Sequence, residues 1–392
     1  MSNIIYMDNA ATTKVATEVL NEMLPYFTEQ YGNPSSIYSL GSSAAKAVST
    51  AREQIALSLN AKSTEIYFTA GGTESDNWAI KGTAEAYQDK GKHIITSAIE
   101  HHGILKTFAY LAETGYSVSY IPVDEAGIIK IDELEKAIRP ETILISVCFA
   151  NNEIGTIQPI REIGELARKN GIIFHSDAVQ AFGQIPIDVD EYMIDMLSIS
   201  AHKIHGPKGV GGLYIRTGIK IKPFIHGGSQ ERGRRAGTGN VPGIVGFGKA
   251  CALAMANLPE KSRKLISLRD YLIEQINGEI PHCRLNGDSE RRLPNNVNFS
   301  FRFIEGESLL IMLDMKGIAA SSGSACTSGS LDPSHVLLAI GLPHEIAHGS
   351  LRLTLSMENT REEIDAVVKA VKEIVLKLRN MSPLYEDYIN KK

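Results

Sequence analysis

A glycine-rich motif, Gly71-Gly72-Thr73-Glu74-Ser75, directly follows the apolar run EIYFTA and opens a stretch with helical periodicity. Two glycines allow a ligand to approach the backbone, Thr73 can donate from its hydroxyl, and the N-terminus of a helix favours an anion. The motif therefore indicates a phosphate site. An ordinary glycine turn with a threonine N-cap is the alternative, and the motif alone does not separate the two.

A carboxylate and a lysine follow two further apolar runs. Asp177 ends the run GIIFHSD with Gln180 three positions later, and Lys203 follows MLSIS. A buried carboxylate needs a cationic partner or several donors, although Asp177 could instead cap a helix and Lys203 could be solvated. Together, an anion site, a buried acid and a strand-end lysine match a pyridoxal-phosphate pocket, which needs a phosphate cradle, an acid for the pyridinium nitrogen and a Schiff-base amine.

Cys326 lies in the run SSGSACTSGS, which spans residues 321–330. Ser, Gly, Ala and Thr cannot build a core, so the run predicts a mobile loop with an exposed thiol. An exposed thiol on such a loop suggests a nucleophile that travels between sites. Cys148, in a predicted strand, and Cys251, in a predicted helix, are expected to be buried. Cys283 stays unassigned.

The segment His344-Glu345-Ile346-Ala347-His348 matches HExxH, the pattern of a zinc-peptidase helix. That chemistry requires a helix long enough to carry both histidines, yet Gly349 follows at once and a strand-like run comes next. A short capped helix without a metal is the favoured interpretation, and a zinc peptidase is a remote alternative. His101 could likewise be a solvated helix start, and only the predicted pocket gives it a chemical role.

The composition is that of a globular protein. The 392 residues include 40 Lys and Arg against 45 Asp and Glu, a formal net charge of −5. This balance argues against a nucleic-acid or anionic-membrane surface. Four scattered cysteines without a CxxC pair argue against a disulfide framework and a Cys-rich metal site. No signal-peptide pattern and no bilayer-spanning apolar run is visible, so a cytoplasmic protein is expected.

Apolar runs alternate with amphipathic stretches from about residue 60 to 216. The runs are EIYFTAG (65–71), HIITSAI (93–99), SVSYIPV (117–123), TILISVCFA (142–150), GIIFHSDA (171–178), MLSISA (196–201) and GVGGLYI (209–215). This alternation predicts an α/β fold with a mostly parallel sheet between helices. Ligands of such sheets bind at the carboxyl ends of the strands, where Asp177 and Lys203 lie.

The pattern changes after residue 216. Residues 223–243 are Gly-rich and basic and are interpreted as a long functional loop, which a helical segment (about 244–279) follows. A smaller α+β unit then contains the strands NNVNFSF and SLRLTLS, and the last residues, PLYEDYINKK, are predicted to be a loose tail. We expect a large domain at 15–260 and a small domain made of 1–14 and 261–392, which carries the Cys326 loop.

Motifs along nearly the whole chain, from Tyr6 to about Tyr385, match one family. They are IYMDNAATT, GNPSS, FTAGGTESDN, EHHGIL, NNEIG, HSDAVQ, SAHKIHGPKG, GGSQERGRRAGT and SSGSACTSGS. In this order they resemble the cysteine desulfurases of the NifS/IscS type, pyridoxal-phosphate enzymes of the class V aminotransferase group. The resemblance implies a homodimer of the aspartate-aminotransferase-like fold (fold type I). It also implies conversion of L-cysteine to L-alanine, with the sulfur left as an enzyme persulfide.

The resemblance also implies roles for residues around the cofactor. Lys203 would form the Schiff base and later move the Cα proton, Asp177 would pair with the pyridinium nitrogen, and Gln180 would reach the ring oxygen. His101 would stack on the ring and assist proton transfer to and from substrate. Asn152 would also contact the cofactor. The implied phosphate ligands are Gly72, Thr73, Ser200 and His202, with Thr238 donated by the partner subunit.

Substrate and sulfur have implied partners as well. Asn152 and Arg352 would hold the substrate carboxylate, and Cys326 would attack the substrate sulfur and carry the persulfide outward. No resident metal is implied, although Cys326 could transiently ligate an iron–sulfur cluster. Two departures from the family pattern are Ser229, where a third glycine is usual, and a C-terminal tail shorter than in members whose tail docks a scaffold protein.

The expected partners are L-cysteine, a second copy of the chain and an iron–sulfur scaffold or another sulfur acceptor. No nucleic acid and no membrane is expected. A selenocysteine lyase or an aminotransferase on the same fold is the nearest alternative, and the loop that carries Cys326 argues against transamination.

Overall fold

A computed structural model describes residues 4–322 and 333–390 of the chain. Twelve strands are present in the described residues, and every sequence-predicted run from residue 65 to 215 contains one of them. The strands are β1 (Ile5–Tyr6), β2 (Ile66–Thr69), β3 (His93–Ser97), β4 (Ser117–Ile121), β5 (Thr142–Ser146), β6 (Ile173–Asp177), β7 (Met196–Ser200), β8 (Gly211–Ile215), β9 (Cys283–Leu285), β10 (Asn296–Phe301), β11 (Ile318–Ala319) and β12 (Ser350–Thr354).

Helices connect and cover these strands. They are α1 (Thr17–Met23), α2 (Pro25–Thr28), α3 (Ser39–Ser58), α4 (Gly72–Tyr87), α5 (His102–Glu113), α6 (Ile131–Ala137), α7 (Ile160–Lys169), α8 (Val241–Ala256), α9 (Leu258–Glu279), α10 (Gly306–Asp314), α11 (His335–Ala339), α12 (His344–Ala347), α13 (Arg361–Asn380) and α14 (Pro383–Asn390). The helical segment expected at about 244–279 is two helices, α8 and α9. Asn257 leaves helical geometry (φ −141°), and Pro259 cannot continue the preceding helix.

The large sheet has seven strands in the order β2-β8-β7-β6-β5-β3-β4. Neighbours from β7 to β4 pair in parallel, whereas β8 is antiparallel to both β7 and β2. Only residues 201–210 join β7 to β8, too few for the crossover that a parallel pair needs, so the chain turns back. Strands β5, β6 and β7 are buried along their whole length, as a sheet covered by helices on both faces requires. The prediction of an α/β fold with a mostly parallel sheet is confirmed.

A second hydrophobic core lies between helices α9, α10 and α13 and the three-stranded antiparallel sheet β12-β10-β9. The N-terminal strand β1 joins this region by pairing in parallel with β11, and Asp8 forms a bridge to Thr354. A capping box between Thr360 and Glu363 starts α13. The division into domains at 15–260 and at 1–14 plus 261–392 stays a prediction, and these contacts agree with the place that it gives residues 1–14.

The prediction of a loose C-terminal tail is wrong for the residues up to 390, because α14 forms there. Tyr385 and Tyr388 are three positions apart and therefore lie on the same face of the helix. Both rings contact the ring of Phe303, with centroid distances of 5.5 Å for Tyr385 and 5.0 Å for Tyr388. Arg302 lies over the rings of Phe303 and Tyr388. The eight-residue helix is thus held by an aromatic contact with a distant part of the chain, which its own short, polar sequence does not reveal.

Membrane spans were sought among the described helices. None is by itself long and apolar enough to cross a bilayer, and only α8 and α9 taken together pass that criterion, across a 74° bend.

Candidate active site

A cavity of about 410 Å³ lies at the carboxyl ends of the parallel strands. It collects residues from both cores, and most of the sequence-predicted site residues line it: Gly72, Thr73, His101, Asn152, Asp177, Gln180, Ser200, His202, Lys203 and Arg352. The prediction that ligands bind at the carboxyl ends of the strands agrees with this placement, because most of these residues follow β2, β3, β5, β6 or β7.

One end of the cavity is suited to an anion. The N-terminus of the 16-residue helix α4 begins at Gly72, and Thr73, Ser200 and His202 surround it and also line an adjoining space of about 500 Å³. A Cβ on Gly72 would lie 2.6 Å from Val179 Cγ2, so only glycine fits there without displacing its neighbour. Free N–H groups at the first turn of α4 supply donors for a phosphate.

His202 contributes a neutral side chain to this anion end. Its Nδ1 lies 3.1 Å from Thr12 Oγ1, and burial lowers the pKa of the imidazole to about 4, with further lowering by Lys203 and Lys208. At neutral pH the ring can therefore donate one hydrogen bond without carrying a charge.

Asp177 ends β6 with a carboxyl group that has been removed from water. Its Oδ1 accepts a hydrogen bond of 2.9 Å from the Val179 N–H. Burial raises the pKa of Asp177, while the nearby His101 and Lys203 oppose the rise. A protonated ring nitrogen placed against this carboxyl would restore its ordinary ionisation, because an opposite charge favours the charged form.

Further buried carboxyl groups surround Asp177. Asp76, on α4, has a pKa raised well above its ordinary value by burial and by the charge of Asp177. Its Oδ1 has no hydrogen-bond partner among the described residues and lies 3.8 Å from His175 Nε2. Burial raises the pKa of Glu100 to about 8, and its Oε1 accepts from Ser97 Oγ at 2.5 Å and from the Cys148 N–H at 3.0 Å. This corner of the cavity is thus rich in acid groups that a bound cation would stabilise.

Lys203 lies in a short 3₁₀ turn, Ala201–Lys203, immediately after β7. Its Nζ donates to the carbonyls of Ala10 and Ala11, the second at 2.8 Å, and Gln180 Nε2 donates to the Ala10 carbonyl at 3.1 Å. The amine is therefore held at the cavity by a segment that is almost two hundred residues away along the chain.

His101 is the N-cap of α5 and lines the same cavity. Its Nδ1 accepts a hydrogen bond of 3.0 Å from the Gly103 N–H. Burial lowers the pKa of His101, while the carboxyl group of Asp177 opposes this shift. The imidazole is therefore neutral at neutral pH, with the proton on Nε2, so it can both stack on a ring and exchange a proton.

The opposite side of the cavity carries the guanidinium of Arg352, which is buried on β12. Its Nη1 donates to the Asn152 carbonyl at 3.0 Å, and its Nη2 donates to Asp8 Oδ1 at 2.9 Å. Glu153 follows Asn152 and accepts a 2.5 Å hydrogen bond from Ser334 Oγ; burial raises the pKa of Glu153 to about 7, against the pull of Arg352. A guanidinium in such a place suits a carboxylate ligand.

Among the described residues, Thr238 is the sequence-predicted site residue that does not line this cavity. Thr238 lines a separate space of about 380 Å³ together with Arg52 and Arg235. Cys326 lies outside the described residues. Cys148 and Cys251 are buried as predicted, and Cys283 is half-buried, with its thiol donating to the Ile280 carbonyl at 3.0 Å.

The HExxH segment forms no metal site in the structure. Helix α12 has only four residues and ends at Ala347, before His348. No cluster of three or more His, Cys, Asp or Glu side chains that could hold a metal is found within residues 4–322 and 333–390. The geometry agrees with the short helix expected from Gly349, but the expected cap is missing, since Pro343 at the N-cap position makes no side-chain capping hydrogen bond.

Four carboxyl groups at or near the cavity escaped the residue-by-residue interpretation of the sequence: Asp8, Asp76, Glu100 and Glu153. Each lies within a motif that carries the family resemblance, respectively IYMDNAATT, FTAGGTESDN, EHHGIL and NNEIG. The motifs were thus a usable signal. The acidic side chains by themselves gave no such signal, because the burial of an acid depends on the residues that pack around it.

The residues of this cavity fit pyridoxal phosphate. The glycine cradle at Gly72 admits a phosphate, the buried carboxyl of Asp177 needs a cationic partner, and the amine of Lys203 lines the same cavity. These are the contacts by which a protein holds and tunes that cofactor.

Comparison with known proteins places the chain in a family. The sequence pattern of the class-V aminotransferases matches residues 5–367. A cysteine desulfurase IscS of Methanosarcina thermophila is 62% identical over 380 residues, which cover 97% of this chain and 94% of the relative. A cysteine desulfurase IscS of Clostridium botulinum is 59% identical over 394 residues, which cover 100% of this chain and 99% of the relative.

Solved structures agree with these relatives. A NifS-like protein superimposes with a TM-score of 0.90 at 41% identity and covers 95% of this chain and 99% of its own. SspA in complex with cysteine superimposes with a TM-score of 0.81 at 38% identity, over 91% of this chain and 100% of its own. The chain belongs to the class-V aminotransferase family and, within it, to the cysteine desulfurases of the NifS/IscS type.

Proposed function

We propose that this protein is a pyridoxal-phosphate-dependent cysteine desulfurase that converts L-cysteine to L-alanine and leaves the sulfur as a persulfide on Cys326. The observation that carries the proposal is that an amine (Lys203), a buried carboxyl (Asp177) and a buried guanidinium (Arg352) line one cavity. The names of the relatives and the neighbour solved with cysteine support the same substrate.

The cofactor, when bound, supplies an electron sink for the bonds at the substrate Cα and Cβ. Asp177 holds the ring nitrogen in its protonated form, because a cation paired with this buried carboxyl favours the ionised form of the acid. Gly72, Thr73, Ser200 and His202 bind the phosphate. Lys203 Nζ carries the Cα proton, and the carbonyls of Ala10 and Ala11 keep that amine at the cavity.

Arg352 and Asn152 bind the α-carboxylate of the substrate and so orient it. His101, neutral through burial, accepts or donates a proton at Nε2 close to the substrate. The Cys326 thiolate forms an S–S bond to the substrate sulfur as the substrate Cβ–S bond breaks. The electron pair of that bond goes to Cβ, which a proton then converts to the methyl group of alanine.

The active unit is proposed to be a homodimer. Thr238 lies in a separate cavity of its own chain, and this agrees with its donation to the phosphate of a second subunit. An iron–sulfur scaffold or another sulfur acceptor would take the persulfide, and the cytoplasm is the proposed compartment. The family resemblance supports these partners.

The test is the visible spectrum of the purified, cofactor-loaded protein before and after L-cysteine is added, together with assays of alanine and sulfide. Wild type should be yellow, change its spectrum and release both products. Cys326→Ala should keep the colour and the spectral response but release no sulfide, whereas the matched control Cys283→Ser should behave as wild type. Full sulfide release by Cys326→Ala would contradict the mechanism, and faster turnover of selenocysteine or transfer to a 2-oxo acid would favour the alternatives.

A further inference from the structure

Asp8 lies beside β12, where its backbone forms a bridge to Thr354. Both oxygens of its carboxylate are engaged: Oδ1 accepts from Arg352 Nη2 at 2.9 Å, and Oδ2 accepts from Ser321 Oγ at 2.8 Å. The Arg352 side chain is 2% exposed and that of Asp8 is 16% exposed. The carboxylate is therefore held in one orientation against a buried guanidinium.

The guanidinium of Arg352 is in turn held from two directions. Asp8 binds Nη2, and the Asn152 carbonyl binds Nη1 at 3.0 Å, while Nε has no partner among the described residues. A guanidinium has five N–H groups, so these two contacts fix its plane and leave donors for a further carboxylate. A buried cation without a counter-charge is unfavourable, and Asp8 supplies that charge whether or not substrate is bound.

The backbone next to Asp8 does not depend on the Asp8 side chain. Asn9 Nδ2 donates to the Thr354 carbonyl at 2.8 Å, and the Ala10 N–H donates to Thr354 Oγ1 at 2.8 Å. These contacts keep the segment in place up to the Ala10 carbonyl, which accepts from Lys203 Nζ. Replacing the Asp8 side chain should therefore disturb Arg352 while leaving Lys203 where it is.

We propose that Asp8 is a positioning residue for the substrate carboxylate. It sets the plane of the Arg352 guanidinium and so determines how strongly the site prefers an α-amino acid to an amine without a carboxylate. The proposal rests on the proposed function, in which Arg352 binds the substrate carboxylate. Ser321 acts on Arg352 only indirectly, because its hydroxyl donates to the carboxylate of Asp8 and orients it.

The kinetic test compares Asp8→Ala with Asp8→Asn. The asparagine keeps an oxygen that can accept from Arg352 Nη2 and an amide that can donate to Ser321 Oγ, so it preserves the orientation. We expect Asp8→Ala to raise KM for L-cysteine at least about tenfold with kcat within about threefold, since a charge-assisted hydrogen bond is lost. Asp8→Asn should restore KM to within about threefold of wild type, since orientation survives.

A binding test separates positioning from a general structural role. L-Alanine and ethylamine differ in the carboxylate, and absorbance of the cofactor-loaded protein reports the binding of each. Asp8→Ala should weaken L-alanine about tenfold and leave ethylamine within about twofold, and Ser321→Ala should weaken L-alanine by about threefold. Equal weakening of both ligands in Asp8→Ala would show a structural effect and overturn the proposal.

The two proposals fail in different ways. A wild-type protein that releases no sulfide from L-cysteine overturns the proposed function, while the comparison of L-alanine with ethylamine still tests Asp8. A wild-type protein that turns over L-cysteine, beside an Asp8→Ala protein with unchanged KM, overturns only the role of Asp8. If Asp8→Ala does not fold, Ser321→Ala decides: an unchanged preference for L-alanine over ethylamine in that variant overturns the proposal.

Discussion

The two sides of the active-site cavity are built in different ways. The cofactor side, defined by Gly72, His101, Asp177 and Lys203, comes from positions where strands of one sheet end and a turn or helix begins. The carboxylate side, defined by Asp8, Asn152, Glu153 and Arg352, joins three separate segments, and its ion pair connects residues 344 positions apart. One side therefore follows from local order along a sheet, and the other from how distant parts of the chain meet.

Their electrostatics differ as well. On the cofactor side, burial raises the pKa of Asp177, and the neighbouring acids Asp76 and Glu100 share that rise. On the carboxylate side, Arg352 already has a counter-charge in Asp8. The cofactor side thus needs a bound cation to reach its working charge state, whereas the carboxylate side is charge-compensated beforehand and controls orientation. Variants on the first side should change the chemical step, and variants on the second should change substrate binding.

Among the variants that test this difference between the two sides, Lys203→Ala on the cofactor side should have the largest effect. Turnover of L-cysteine should fall at least about 10³-fold, because a positioned proton-transfer group alone contributes about 10²–10⁴-fold. Alanine formation under single-turnover conditions measures it. Lys169→Ala is the matched control, since that lysine is exposed and only forms a 3.5 Å surface ion pair with Glu135. A raised KM with unchanged kcat in Lys203→Ala would contradict the division between the two sides.

The second largest effect is expected for Glu153→Gln on the carboxylate side, which should change how the stability of the protein depends on pH. The pKa of Glu153 is raised from 4.5 to about 7, so between these pH values the folded protein binds more protons than the unfolded chain. The contribution of the Glu153 side chain to the free energy of unfolding is fully present below pH 4.5 and is lost as the pH rises to about 7. Glu153→Gln does not titrate, and its oxygen can still accept from Ser334 Oγ.

The free energy of unfolding of Glu153→Gln, minus that of wild type, should therefore rise by about 3 kcal/mol from pH 4.5 to 7 and stay level above. Urea unfolding at a series of pH values measures it. Glu113→Gln, an exposed position on α5, should show no such trend. A flat difference for Glu153→Gln would mean that burial does not raise the pKa of Glu153.

The smallest expected effect is that of Gly72→Ala on the cofactor side. The added Cβ would lie 2.6 Å from Val179 Cγ2, and overpacking of this kind costs about 1–3 kcal/mol, so cofactor affinity should fall about tenfold. Val179→Ala in the same protein should recover part of the loss. Gly278→Ala, where a Cβ meets nothing within 4 Å, is the control. Absorbance titration measures the dissociation constant of pyridoxal phosphate for each variant. An unchanged constant in Gly72→Ala would show that the site does not require glycine at this position.

Much of the fold was predictable because its signals are local. The β-branched runs predicted the seven strands of the large sheet, and the glycine motif predicted the start of α4. The break between α8 and α9 and the helix α14 were not predicted, since a single Asn with non-helical φ and a contact with Phe303 decide them. In both cases the structure depends on conformation or packing that hydrophobic periodicity does not record.

The sequence by itself predicted much of the cofactor side. Asp177 and Lys203 follow two neighbouring strands, and parallel strands bring their carboxyl ends to one edge of the sheet. Only the tertiary structure decided the carboxylate side. Whether Asp8 or Glu153 is buried, and which of them pairs with Arg352, depends on contacts between segments hundreds of residues apart. Burial and pairing are properties of the packed chain, because the charge of an acid is set by its surroundings and not by its neighbours in sequence.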